Sequence, residues 1–116
     1  PPTVLADVTE GMAAFAEETF GPVAAIAVVA DADEAIAIAN RSELGLGASV
    51  FTADLDAARA IAERIEAGCV FVNRMTASDP RVPFGGVKAS GYGRELGVFG
   101  MREFVNVKTV WVHTPG

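Results

Sequence analysis

Asp54-Leu55-Asp56-Ala57-Ala58-Arg59-Ala60-Ile61-Ala62-Glu63-Arg64-Ile65-Glu66-Ala67-Gly68-Cys69-Val70-Phe71-Val72-Asn73 reads as a capped helix that runs into a buried strand. Asp54 is a residue type that accepts hydrogen bonds from the free N–H groups of a first helical turn. Leu55, Ala58, Ile61, Ala62 and Ile65 recur at spacings of three and four, one apolar stripe of a helix. Gly68 stands where a helix is stopped by a residue free to leave the right-handed region. Cys69 to Asn73 is a short, nearly continuous apolar run, which marks a strand covered on both faces.

The same alternation continues outward in both directions. Ala48 to Thr52 predicts the preceding strand. Before it, Asp31 caps a helix with Glu34 in capping-box position, and Ala35, Ile36, Ile38 and Ala39 form its apolar stripe. Gly45-x-Gly47 breaks that helix, and Val23 to Ala30 is a further apolar run of strand length. Strand–helix–strand–helix–strand from Val23 to Asn73 implies an α/β fold with parallel strands and right-handed crossovers. Upstream, Thr3 to Val8 predicts a strand, and Thr9 a cap for a helix over Met12 to Glu18 with Phe15 on its buried side. Phe20-Gly21-Pro22 ends that helix, because the residue before a proline is held out of helical geometry. Downstream, Arg74 to Val82 is a loop without periodicity, and Arg94 to Phe104 is helical with interruptions at Gly97 and Gly100. Val105 to His113 alternates, with Val105, Val107, Thr109 and Trp111 on one face, as a strand does.

Between these lies Pro83-Phe84-Gly85-Gly86-Val87-Lys88-Ala89-Ser90-Gly91-Tyr92-Gly93-Arg94-Glu95-Leu96. Glycine and proline at this density exclude a regular helix or a central strand. The embedded Phe84, Val87, Tyr92 and Leu96 exclude a polar linker. Such a loop packs closely on another backbone or on a ligand. It is not a dinucleotide fingerprint, since the third glycine is missing, and it is not a phosphate loop, since Ala89 follows Lys88.

The 116 residues are enough for one domain with a modest core, and 51% apolar content argues against disorder. A net charge of -6 disfavours nucleic acid and anionic membranes as partners. No apolar run approaches a membrane span, and no secretory signal is seen. A start at Pro1 without methionine suggests an excised piece. One cysteine excludes an internal disulfide and fits a reducing, cytoplasmic compartment. Cys69 follows a helix C-terminus, whose dipole disfavours a thiolate, so it reads as a packing residue and not a nucleophile. His113, the only histidine, has no ligand motif around it, so no metal site is expected. Glu17 and Glu18 stand at a helix end, where acids are slightly unfavourable.

Three blocks together are more specific than their composition. Phe84-Gly85-Gly86-Val87-Lys88-x-Ser90-Gly91-x-Gly93-Arg94-Glu95, Glu17-Glu18-Thr19-Phe20-Gly21-Pro22-Val23 and Ala67-Gly68-Cys69-Val70-Phe71-Val72-Asn73 resemble the aldehyde dehydrogenase superfamily, in its C-terminal part. The resemblance runs from Pro2 to about Val112. It implies that residues 1–104 are the C-terminal part of a catalytic domain and that 105–116 are an oligomerisation strand and tail. It also implies a cofactor, NAD or NADP, with Glu18 bonding the nicotinamide ribose hydroxyls and Phe20 packing near the ring. The residues that distinguish the two cofactors would lie in the nucleotide-binding region, outside this chain.

The loop Arg74 to Phe84 matches the segment lining the aldehyde pocket, with Phe84 at its edge. Ser78 falls where succinate-semialdehyde dehydrogenases hold the distal carboxylate of their substrate. The strings Ser78-Asp79-Pro80-Arg81 and Arg102-Glu103-Phe104-Val105-Asn106 make that branch the most similar, and Arg81 could add positive charge near an acidic substrate. The family's nucleophilic cysteine and general-base glutamate match nothing here, so no catalytic residue is expected in this chain. The expectation is therefore part of an NAD(P)-dependent enzyme, inactive alone, that self-associates through its last strand. The competing readings are a non-enzymatic, self-associating α/β module and, more weakly, a small nucleotide binder.

Overall fold

The computed structural model describes residues 1–116. Ten elements follow in order: β1 Thr3–Leu5, α1 Ala13–Ala16, β2 Val23–Ala25, α2 Ala32–Asn40, β3 Leu44–Gly45, β4 Gly47–Val50, α3 Leu55–Arg64, β5 Cys69–Val72, β6 Val87–Lys88 and α4 Gly97–Arg102. The expected α/β character is present. β1 pairs with β2 in parallel and β4 with β5 in parallel, each pair joined through a helix, while β3 and β6 pair antiparallel.

The capped helices form where expected. Asp54 accepts from the N–H groups of Asp56 at 3.1 Å and Ala57 at 2.9 Å, satisfying two donors that α3 cannot satisfy itself. Asp31 accepts from Glu34 N–H at 2.9 Å, and the Glu34 carboxylate returns to the N–H of Ala30 at 2.6 Å. The return bond of this capping box thus lands one residue earlier than in the usual arrangement. Ala58 and Ile36 face inward from α3 and α2 and are buried.

Four expectations are corrected. Thr9 does not cap: α1 is a single turn whose Met12 N-cap makes no side-chain bond, and it closes at Glu17, whose N–H bonds the Ala13 carbonyl at 2.9 Å, so Glu18 lies beyond it. Val23 to Ala30 is not a long covered strand. Only Val23–Ala25 pair as β2, with β1 as the one partner, and Ile26 and Val28 remain exposed. The last helix begins at Gly97, not Arg94, after Leu96 turns the chain at φ 63°. Val105 to His113 forms no strand in the single chain. Val105 N–H bonds back to Arg102, and no residue after it makes a backbone hydrogen bond, because a strand exists only through a neighbour.

The expected core is also smaller than 116 residues allow. Six residues are buried, and the strands make three separate two-stranded sheets instead of one. The radius of gyration is 19.1 Å, against about 13 Å for a compact domain near this size. Apolar side chains such as Phe20, Phe104 and Trp111 consequently lie on the surface.

Candidate functional site

The glycine stretch is held by backbone approach and by two cations. A Cβ on Gly68 would lie 1.8 Å from the carbonyl oxygen of Gly85, so the end of the α3–β5 connection and the loop touch backbone to backbone. One on Gly85 would lie 2.6 Å from the carbonyl oxygen of Gly93. The Arg94 guanidinium donates to the carbonyls of Gly86 at 2.9 Å and Gly93 at 2.6 Å, folding the loop on itself. Lys88 Nζ donates to the carbonyls of Asn40 at 2.6 Å and Ser42 at 3.1 Å, and it pairs with Glu66 at 2.8 Å. Lys88 thereby supplies α2 with the positive charge its own last turn lacks.

Two clefts result, on either side of a shared wall of Leu46 and Ser90. The first, about 420 Å³, is lined by Phe84, Tyr92, Arg94 and Glu95, with Leu46 and Ser90 at its back. Phe84 is fixed there by exchanging both backbone hydrogen bonds with Glu95 at 2.8 Å. The second, about 390 Å³, is lined by Glu18, Asn40, Ser42, Gly45 and the same Leu46 and Ser90. Ser90 Oγ accepts the N–H of Gly45 at 2.9 Å and so ties the wall together.

Of the four candidate residues, Glu18 and Phe84 therefore line adjoining clefts. Phe20 stands two residues from Glu18 with its ring 99% exposed, a free apolar face beside a carboxylate that only accepts hydrogen bonds. Ser78 lies exposed on the 74–82 loop and lines neither cleft. Arg81 is not a free cation. Its Nε donates to Asp79 at 2.8 Å and its Nη2 at 2.6 Å, and its side chain borders a third cleft against Gly97 and Met101 of α4. This pairing, the side-chain hydrogen bonds first, holds the Asp79 carboxyl well below the usual carboxylate range.

Cys69 is half-buried in β5, and its sulfur lies 3.8 Å from the Gly85 carbonyl oxygen, a packing contact and not a paired nucleophile. No group of three or more His, Cys, Asp or Glu side chains is placed to hold a metal ion. No helix is long and apolar enough to cross a membrane.

Lys88, Arg94, Asn40 and Asn73 were not assigned roles from the sequence. Asn73 closes β5 by pairing its side-chain amide with both backbone groups of Thr52, at 2.9 and 2.8 Å. The one available signal was basic residues among glycines, where backbone carbonyls lie bare. The partners of Lys88, 46 and 48 residues away, follow from no local spacing.

Comparison with known proteins agrees with this architecture. Residues 1–110 match the model of the aldehyde dehydrogenase family. The chain is 55% identical over 112 residues to a succinate-semialdehyde dehydrogenase (NADP+) of Mycobacterium ulcerans, covering 97% of this chain and 24% of that protein. It is 60% identical over 111 residues to the succinate semialdehyde dehydrogenase (NAD(P)+) Sad of Escherichia coli, covering 96% and 24% respectively. Among solved structures, succinic semialdehyde dehydrogenase from Streptococcus pyogenes, in complex with NADP+, superposes with a TM-score of 0.93 at 42% identity. That match covers 97% of this chain and 25% of the other. The chain thus spans about a quarter of the length of the relatives it matches. With three motif blocks, the parallel strand pairs and the family match in agreement, the chain belongs to the aldehyde dehydrogenase family.

Proposed function

We propose that the complete protein carrying this chain oxidises succinate semialdehyde to the corresponding carboxylic acid, with NAD or NADP accepting the hydride, in the cytoplasm. The observation that carries this reading is identity of 55% and 60% to two succinate-semialdehyde dehydrogenases over nearly the whole chain.

The residues present fit such a cofactor. Glu18 offers a carboxylate to the lining of the second cleft, able to accept from two vicinal ribose hydroxyls. The exposed Phe20 ring offers a flat apolar surface to a planar ring. When bound, the cofactor supplies the hydride acceptor. The task of this chain is to orient. Phe84 borders the aldehyde cleft, and the Ser78 hydroxyl donates to the distal carboxylate of the substrate. The nucleophile and the general base come from outside this chain, which is inactive alone. Residues 1–104 act as the C-terminal part of the catalytic domain, and 105–116 as a strand that joins a second copy. Exposed Val107, Val110 and Trp111 on a backbone without hydrogen-bond partners support that last role. Light scattering should find the protein shifted towards monomer when Val105 to Gly116 are deleted; an unchanged oligomer would refute this assembly role.

The test of substrate and cofactor roles is steady-state NAD(P)H formation by the complete protein. Ser78→Ala should raise KM for succinate semialdehyde at least about tenfold more than for butanal, because an acidic end loses a built-in partner. Glu18→Gln should slow hydride transfer by roughly tenfold or more with little change in stability, since a hydrogen bond to a charged group contributes about 1.5–3 kcal/mol. Equal effects of Ser78→Ala on both aldehydes would remove the substrate assignment, and unchanged kinetics in Glu18→Gln would take that residue out of the site.

A further inference from the structure

The loop that carries Ser78 is nearly bare of backbone bonds. Of residues 74–81, only Arg81 places its backbone N–H on an acceptor, and that acceptor is the Asp79 carboxylate at 3.0 Å. The same carboxylate receives Nε and Nη2 of Arg81, so three donors of one residue converge on it. Val82 N–H closes the turn onto the Asp79 carbonyl at 3.1 Å, and Gly97 N–H anchors it by bonding the Pro80 carbonyl at 3.1 Å. Asp79 is the inner member of the pair, with its side chain 18% exposed against 82% for Arg81. Ser78 immediately precedes Asp79, and Phe84 follows Arg81 by three residues.

We propose that Asp79 is a positioning residue for substrate preference, acting through Arg81 to hold Ser78 at one fixed span from Phe84. This rests on the reading that Ser78 meets the acidic end of the substrate. A bidentate guanidinium–carboxylate pair is planar and directional, so it fixes the turn where a lysine or a lone aspartate would leave it free. It also offsets the Arg81 charge with the Asp79 carboxylate, so the exposed guanidinium is not a free cation. Recognition of the carboxylate then depends on where the Ser78 hydroxyl stands, not on a mobile cation. With its carboxyl held low by Arg81, Asp79 remains ionised at any pH at which the enzyme would be assayed.

The experiment uses the complete protein in its native assembly, with kcat and KM measured for succinate semialdehyde and for butanal. Asp79→Ala is expected to raise KM for succinate semialdehyde by about fivefold, the upper range for an exposed pair of good geometry, with kcat nearly kept. KM for butanal should move less than about twofold by the same reasoning, since butanal has no acidic end to place. Arg81→Gln should give the same split, and the double variant should be no worse than either single, because one clamp is lost once. Asp79→Asn keeps an oxygen for the Arg81 N–H and should fall between.

A role confined to folding would instead lower the thermal midpoint and raise both KM values together, which would overturn the proposal. Additive effects of the two substitutions would overturn it as well. A wild type with no preference for the acidic aldehyde removes the substrate reading, and this role with it. If preference is lost in Ser78→Ala but intact in Asp79→Ala, the role of Asp79 alone is overturned.

Discussion

The 116-residue chain by itself is expected to form no NADH or NADPH from succinate semialdehyde above the rate in buffer. Relative to the activity proposed for the complete protein this is a loss of at least about 10⁶-fold, the lower range of enzymatic acceleration. The reason lies in its only thiol. A nucleophilic cysteine needs a cation, a base or a helix N-terminus beside it. Cys69 has none of these in contact: its sulfur faces the carbonyl oxygens of Pro83 and Gly85 from within a paired strand. Cys69→Ala should therefore leave the background unchanged. Turnover by the isolated chain that survives this substitution would contradict the absence of a nucleophile, and turnover abolished by it would make Cys69 catalytic.

In the complete protein, Gly68→Ala is expected to destabilise by about 3 kcal/mol or more, at or beyond the usual range for overpacking. The added methyl would meet the Gly85 carbonyl at 1.8 Å, and both contacting groups are backbone, which cannot swing aside as a side chain can. Relief would require the glycine loop to move. That would displace Phe84 and the Gly45–Ser90 bond that builds the wall between the clefts. Activity should fall with stability. Gly11→Ala is the control, because nothing lies within 4 Å of its position and a surface change should stay within about 0.5 kcal/mol. Thermal unfolding of the three proteins decides the matter, and equal midpoints for wild type and Gly68→Ala would refute the close approach.

The parts of this fold legible in the sequence were those fixed by neighbours along the chain. Asp31 and Asp54 cap because a short carboxylate meets N–H groups two or three residues on, whatever else the protein does. Ala58 and Ile36 face inward because periodicity places them there. The glycine stretch was legible as a close approach, but its partner at Gly68 was not. The run from Val23 was over-read as one long strand and the run from Val105 finds no partner within the chain, because apolar pattern reports willingness to pair and not the presence of a partner. For the site, motif resemblance named Glu18, Phe20, Ser78 and Phe84. The wall of Leu46 and Ser90 and the pairing of Arg81 with Asp79 depend on distances that only folding creates.

The tie from Lys88 to the end of α2 bears on the order of events during synthesis. β4, α3 and β5 lie within 26 residues (47 to 72) and can associate as soon as that stretch has left the ribosome. The carbonyls of Asn40 and Ser42 wait for a lysine 46 to 48 residues later. At roughly 5–20 residues per second, the 16 residues from Val72 to Lys88 impose a delay of about one to three seconds. Throughout that interval the Asn40 and Ser42 carbonyls at the end of α2 lack their lysine and the Leu46 wall has no Ser90 behind it. The emerging chain therefore holds an α/β unit with neither cleft complete, and both clefts are closed in one late docking step by the same loop.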